Sequence, residues 1–266
     1  MIFTVRHAKI LNNSKLASMN TIKHLAREIS IWARSIRTVM LGRECVCCHR
    51  PLAAFEKDIC TMCLSDLPSS FTWVEKDSPA DITFWGRTPV EKVTSLFIYK
   101  GKYKELLYSI KYRGNAPLAI RLGKMLGEHL VPEGIEFIVP VPLHPKKKRR
   151  RGYNQSEMIA RGIAESLRKR GSDVSVETHL VLRSNFTPTQ TRKDRIDRWL
   201  NVRNAFVINQ KRLSKLSTPS ASPNVPLKIL LVDDVLTTGA TLDACASLLH
   251  QAAQCRISIA TLAYVP

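Results

Sequence analysis

Apolar residues recur along this chain at two periods, and the changes of period mark its elements. Ile229 to Val232 form an unbroken apolar run, as expected of a strand buried on both faces of a parallel sheet. Leu242, Ala246 and Leu249 then return at helical spacing, and a last strand runs to Tyr264. Upstream, Val93 to Tyr99 reads as a strand, 102–112 and 116–130 as helices, and Phe137 to Pro142 as a short strand ending in prolines. A helix over 154–170 and a strand near 174–181 follow. Residues 21–41 place Ile22, Leu25, Ile29, Trp32, Ile36 and Val39 opposite Lys23, Arg27, Arg34 and Arg37, an amphipathic helix. Its apolar stripe either docks on the body of the protein or meets a membrane or partner. Residues 68–90 read as a linker with short strands, 183–201 as a polar segment, and 209–226 as an irregular insertion. Strands alternating with helices predict an α/β fold, a parallel sheet flanked by helices.

Composition narrows the partners. The 266 residues leave room for one substantial domain plus a small module. Lys and Arg number 41 against 22 acids, a formal charge of +19, which favours anionic partners or simply solubility. No run of 18 apolar residues is present, so no transmembrane helix is expected. Residues 1–27 are basic and acid-free but lack a secretory apolar core. They fit a transit peptide, or a disordered extension ahead of a start at Met19.

The candidate chemistry is densest after the buried strand. Asp233 and Asp234 stand at its C-terminal end, where ligands of open α/β sheets bind. Thr237, Thr238, Gly239, Ala240 and Thr241 then lead into the helix. A helix start offers free N–H groups and partial positive charge to a phosphate. Gly239 lets the backbone approach, and the threonines add hydroxyl donors. The acidic pair repels phosphate. It suits ribose hydroxyls, directly or through Mg²⁺. The segment reads as a ribose-5-phosphate cradle.

Two knuckles lie far upstream. Cys45, Cys48, Cys60 and Cys63 form C-x2-C-x11-C-x2-C, the pairing that tetrahedral Zn²⁺ requires. So short a module buries too little to fold without a metal. A closed four-thiolate site would be structural, not catalytic. Reduced free thiols or disulfides are the alternatives, and Cys47 and His49 are rival ligands. Cys245 and Cys255 read as small packing residues.

Six consecutive basic residues, Lys146 to Arg151, follow the Phe137 strand as a basic loop. They could clamp a pyrophosphate or track a nucleic-acid backbone. Arg192, Lys193 and Arg195 form a second basic run. Tyr153 and Trp199, beside these runs, could stack bases, although a buried ring is an equal reading of Trp199.

Residues 229–241 resemble the phosphoribosyl-pyrophosphate (PRPP) binding motif of type I phosphoribosyltransferases. The resemblance implies Asp233 and Asp234 on the ribose hydroxyls and residues 237–241 on the 5-phosphate. The four-cysteine module, Val-Pro-Val-Pro-Leu-His, Arg-Gly-Tyr-Asn-Gln, Thr-Pro-Thr-Gln-Thr, Arg198-x-x-Asn201 with Ala205-Phe206, and the 229–241 motif occur in that order. Together, over 40–266, they resemble the ComF family, the competence-associated phosphoribosyltransferase-like proteins of bacteria. The chain then reads in three parts: an N-terminal extension and amphipathic helix over 1–41 and, as the resemblance implies, a zinc module over 42–70 and a phosphoribosyltransferase-like domain over 71–266. The resemblance also implies PRPP bound with Mg²⁺, with Arg151 and Tyr153 among the PRPP contacts, a role with incoming DNA, and a cytoplasmic location. The segment 183–201 would close over PRPP, bringing Arg192 and Lys193 to the leaving pyrophosphate as candidate catalytic residues. Two functions fit. One is transfer of the phosphoribosyl group to a nucleobase, with no DNA role. The other is a PRPP-responsive module for single-stranded DNA or a DNA-uptake helicase.

Overall fold

The computed structural model describes residues 42–183, 205–216 and 225–266. The amphipathic helix expected over 21–41, Met19, and Arg192, Lys193, Arg195, Arg198, Trp199 and Asn201 lie outside the described residues. Two compact units divide at Thr61/Met62. The boundary falls in a short helix, α1 (Thr61–Ser65).

The larger unit begins with α2 (Pro79–Ile82), β1 (Val93–Ile98), α3 (Tyr103–Tyr112), α4 (Ala116–Glu128), β2 (Phe137–Pro140), α5 (Pro145–Arg151) and α6 (Gln155–Lys169). Then come β3 (Ser175–Val176), β4 (Val181–Arg183), β5 (Phe206–Ile208), α7 (Gln210–Leu216), β6 (Leu227–Leu236), α8 (Ala240–Ala252) and β7 (Cys255–Tyr264). Five strands make a parallel sheet in the order β1-β7-β6-β2-β3, and β4 and β5 pair antiparallel. The expected α/β fold, a parallel sheet flanked by helices, is what forms.

β6 is central, and its sequence says why. Ile229, Leu230, Leu231 and Val232 are all buried. Ile229 and Leu231 share a core with Leu242, Cys245 and Leu249 of α8, while Leu230 and Val232 point to the opposite face. Cys245 is thus the packing residue its position suggested. On the other side α6 lies against β2 and β6, and α4 packs on α6.

The α4–α6 crossing depends on glycine. A Cβ at Gly162 would lie 2.1 Å from the Ile120 carbonyl oxygen, and one at Gly123 would lie 2.3 Å from that of Ile159. Backbone cannot swing aside as a side-chain tip can, so the helices must separate.

Three local readings change. Residues 68–90, read as a linker with short strands, hold no strand. Only an isolated bridge, Ser69 to Phe97, pairs them with β1, and Thr72 receives the Ser95 N–H at 2.8 Å and donates to the Ser95 carbonyl at 3.1 Å, so backbone and a side chain together cover the edge of β1. Ser78 and Asp81 close a capping box that starts α2. Residues 146–151, read as a loop, are helical. Pro145 sits in the first turn, the His144 ring accepts from the Lys146 N–H, and Gly152 (φ 83°) ends the helix left-handed. Residues 210–216 of the expected irregular insertion also form a helix.

Alanine would gain about 1 kcal/mol over glycine from helix propensity. Overpacking against backbone costs about 3 kcal/mol, so the clash wins. Gly162→Ala is expected to lower the melting temperature by about 4–8 °C. An unchanged or raised melting temperature would contradict the packing described here.

Candidate functional site: an acidic pair and a helix N-terminus

The end of β6 turns directly into α8. Gly239 is the N-cap, left-handed at φ 73°. A Cβ there would be strained by the left-handed conformation and would crowd Arg87 Nη1 and Thr83 Cγ2, both at 3.1 Å. Arg87 donates to the Thr238 carbonyl at 2.6 Å, and Asp243 accepts the Thr88 N–H at 3.1 Å. The segment from Thr83 to Thr88 thereby buttresses the turn. Asp233, Thr237, Thr238, Gly239, Ala240 and Thr241 line one shallow recess. Of the residues that the sequence nominated for ribose and phosphate, Asp233 and residues 237–241 line this recess, while Asp234 is not among its lining residues. Thr237 and Thr238 are exposed to an incoming ligand.

The acidic pair is heavily constrained. Asp233 Oδ1 accepts the Ser156 hydroxyl at 2.9 Å and the Asp234 N–H at 2.8 Å. Asp234 Oδ2 pairs with Lys111 Nζ at 3.0 Å. Burial first, then the charge of Asp234, push the Asp233 carboxyl up to about 7, although its hydrogen bonds and Lys111 pull the other way. Two adjacent part-buried carboxylates, one of them costly to ionise, suit a divalent cation or a set of hydroxyl donors. Lys111 is the cation that the fold itself supplies. Mg²⁺ fits this donor set, and Asp233 and Asp234 would hold it.

Arg151 and Tyr153, named from the sequence as PRPP contacts, are engaged within the protein. Arg151 Nη1 donates to Gln155 Oε1 at 2.8 Å, and its guanidinium lies 5.4 Å from the Tyr112 ring centre. The Tyr153 hydroxyl donates to the Ile110 carbonyl. Arg151 Nε and Gln155 Nε2 are buried without a hydrogen-bond partner, and Gln155 is only 1% exposed. Gln155 directly precedes Ser156, which reaches Asp233. The expected catalytic residues Arg192 and Lys193 lie outside the described residues.

Three residues of the site escaped the sequence reading. Ser156 follows the Asn-Gln pair and carried a faint signal, since a buried strand end needs donors nearby. Lys111 and Arg87 gave none, because only the fold brings α3 and the Thr83–Thr88 segment to β6 and its turn.

The four cysteines form the second site. Cys45, Cys48, Cys60 and Cys63 hold their sulfurs within 4.8 Å of one another. Cys48 Sγ and Cys60 Sγ are 3.7 Å apart. The edge of a tetrahedron with zinc–sulfur bonds of about 2.3 Å is about 3.8 Å. His49, left-handed at φ 59°, closes the first knuckle through its N–H to the Cys45 carbonyl at 2.9 Å. The Cys60 N–H donates to Cys45 Sγ at 3.3 Å, and Arg50 donates to Cys60 Sγ at 3.2 Å, as thiolates require. Burial and its cysteine neighbours, Cys45 first among them, push Cys47 up to about 12. The cluster fits structural zinc, and neither Cys47 nor His49 joins it.

With this geometry in place, known proteins can be set beside it. The phosphoribosyl transferase domain family matches residues 191–266, which contain the acidic pair, the turn and α8. Competence protein F of Haemophilus influenzae is 34% identical over 134 residues, 50% of this chain and 51% of that protein. The chain is ComF-like. Competence protein ComFC of Bacillus subtilis is 26% identical over 222 residues, 80% of this chain and 77% of its own length. DNA utilization protein YhgH of Salmonella typhimurium is 24% identical over 220 residues, 77% and 89% respectively. The match to the Haemophilus protein therefore spans about half of that relative, while those to the other two span most of their lengths. Among the described residues of this ComF-like chain, no helix is long and apolar enough to cross a membrane.

Two outcomes follow. Metal analysis of protein purified under reducing conditions should find about one zinc per chain, and none in Cys45→Ser with Cys60→Ser. Zinc-free wild-type protein would refute the cluster as a metal site. The second outcome concerns pH. A carboxyl raised from 3.8 to about 7 by folding leaves stability unaffected below the lower value, erodes it as pH rises between the two, and costs it fully above the upper. Asp233→Asn should therefore melt higher than wild type at about pH 8 and no higher at about pH 4. A difference that does not change with pH would count against the buried carboxyl.

Proposed function

We propose that this protein binds PRPP together with Mg²⁺ at the β6–α8 turn, and that it serves in the cytoplasm in the handling of DNA taken up by the cell. The observation that carries the ligand assignment is the part-buried acidic pair followed directly by the turn and a helix N-terminus. The two halves of the site want opposite charges. Asp233 and Asp234 suit hydroxyls and a metal ion, while Gly239 to Thr241 suit a phosphate. A phosphorylated sugar carries both. Mg²⁺, when bound, neutralises the ligand's diphosphate. Ser156 and Lys111 fix the carboxylates in place, and Arg87 holds the turn.

The DNA role is supported by the names of the relatives, competence protein and DNA utilization protein, and by the +19 charge. The residues on view support binding of PRPP. Transfer to an acceptor would require groups to act on the pyrophosphate, and Arg192 and Lys193 stand outside the described residues.

PRPP at millimolar concentration with Mg²⁺ should raise the melting temperature by several degrees. A hundredfold excess over Kd gives about 2.7 kcal/mol. The shift should vanish in Asp233→Asn with Asp234→Asn. No shift in the wild type would reject the assignment.

A further inference from the structure

We infer that the outer face of α3 is a stacking surface for a single-stranded nucleic acid, placed beside the PRPP site; the inference rests on the DNA role proposed above. Tyr108 and Tyr112 are 48% and 56% exposed, one helical turn apart, with ring centres 5.1 Å from each other. Large exposed aromatics on a helix need a reason, since burial would be worth far more. Each ring carries a guanidinium over one face, Arg113 at 5.4 Å from the Tyr108 ring centre and Arg151 at 5.4 Å from that of Tyr112, so a base would stack on the other face or displace the cation. Lys104, Lys111 and, as the one acid among the described lining residues, Glu105 line the same groove.

This combination has a chemical meaning. A flat ring stacks on any base, and a guanidinium beside it grips the adjoining phosphate. An acidic peptide would need the cations but not the rings. A duplex would offer the cations its phosphates but keep its bases stacked away from the rings. Arg151 also ends α5, whose Lys146 to Arg150 are all exposed, so positive charge continues from the aromatic pair along a second helix. The Tyr153 hydroxyl on the Ile110 carbonyl ties the segment after α5 to α3.

The surface is also joined to the PRPP site. Lys111 lies between Tyr108 and Tyr112 in sequence and pairs with Asp234. One helix thus presents its exposed rings to the groove and a lysine to the acidic pair. Tyr153, which the sequence offered for stacking, is instead half-buried and braces this face from behind.

Fluorescence anisotropy with a labelled oligothymidine of about twenty nucleotides tests the inference. Wild-type protein should bind it, more tightly than a duplex of equal length, and more weakly as salt rises. Tyr108→Ala with Tyr112→Ala should weaken binding at least tenfold, and Tyr108→Phe with Tyr112→Phe should not. Both variants should keep the PRPP melting shift of the wild type. If the alanine variant is unstable, Tyr108→Leu with Tyr112→Leu must show the same loss. Oligothymidine binding untouched by ring removal overturns the inference. So does a wild type that binds no oligothymidine but captures an acidic peptide. A retained PRPP shift in either case leaves the PRPP assignment standing, whereas loss of that shift alone would strike the assignment and not this surface.

Discussion

Two neighbouring carboxylates at the end of a central strand must be kept from repelling each other out of the fold, and much of this molecule answers to that constraint. Asp233 is buried and hard to ionise, while Asp234 beside it carries a lysine. Removing Ser156, the Asp234 N–H or Lys111 would leave charge in a medium that solvates it poorly. The arrangement has a use when a ligand brings hydroxyls and a cation to the same place. An acidic pair with nothing to bind would be a pure liability.

The scaffolding follows from the need to hold those partners still. Ser156 sits in the first turn of α6, which Asn154 caps while also donating to the Val141 carbonyl at 2.9 Å. α6 is fixed by its glycine-mediated crossing with α4. Lys111 sits on α3, which Tyr153 steadies through Ile110. On the far side Arg87 and Thr88 grip the turn and α8. Pieces distant in sequence thus meet around about ten residues of β6 and its turn.

Much of this was readable before any coordinates. The buried run of β6, the acidic pair and the threonine–glycine turn are contiguous, so local sequence carries their layout. The paired cysteines do the same for the metal cluster, since each knuckle is a short-range turn. What could not be read is what arrives from elsewhere. Lys111, Arg87 and the Thr72 cover of β1 are ordinary residues until the fold places them. The basic 146–151 stretch misled because six like charges suggest a loop. Pro145, the His144 cap and Gly152 were enough to make it a helix whose cations all face solvent or a ring. Strand β5 and helix α7 were missed because each is a single short element in a polar region.

The most direct test of the central claim is a crystal structure of the protein with PRPP and Mg²⁺. The account predicts the ribose hydroxyls on Asp233 and Asp234, the 5-phosphate against the backbone of residues 237–241, and Lys111 displaced from or sharing Asp234. PRPP ordered at any other place, or an empty β6–α8 turn at saturating ligand, would contradict it.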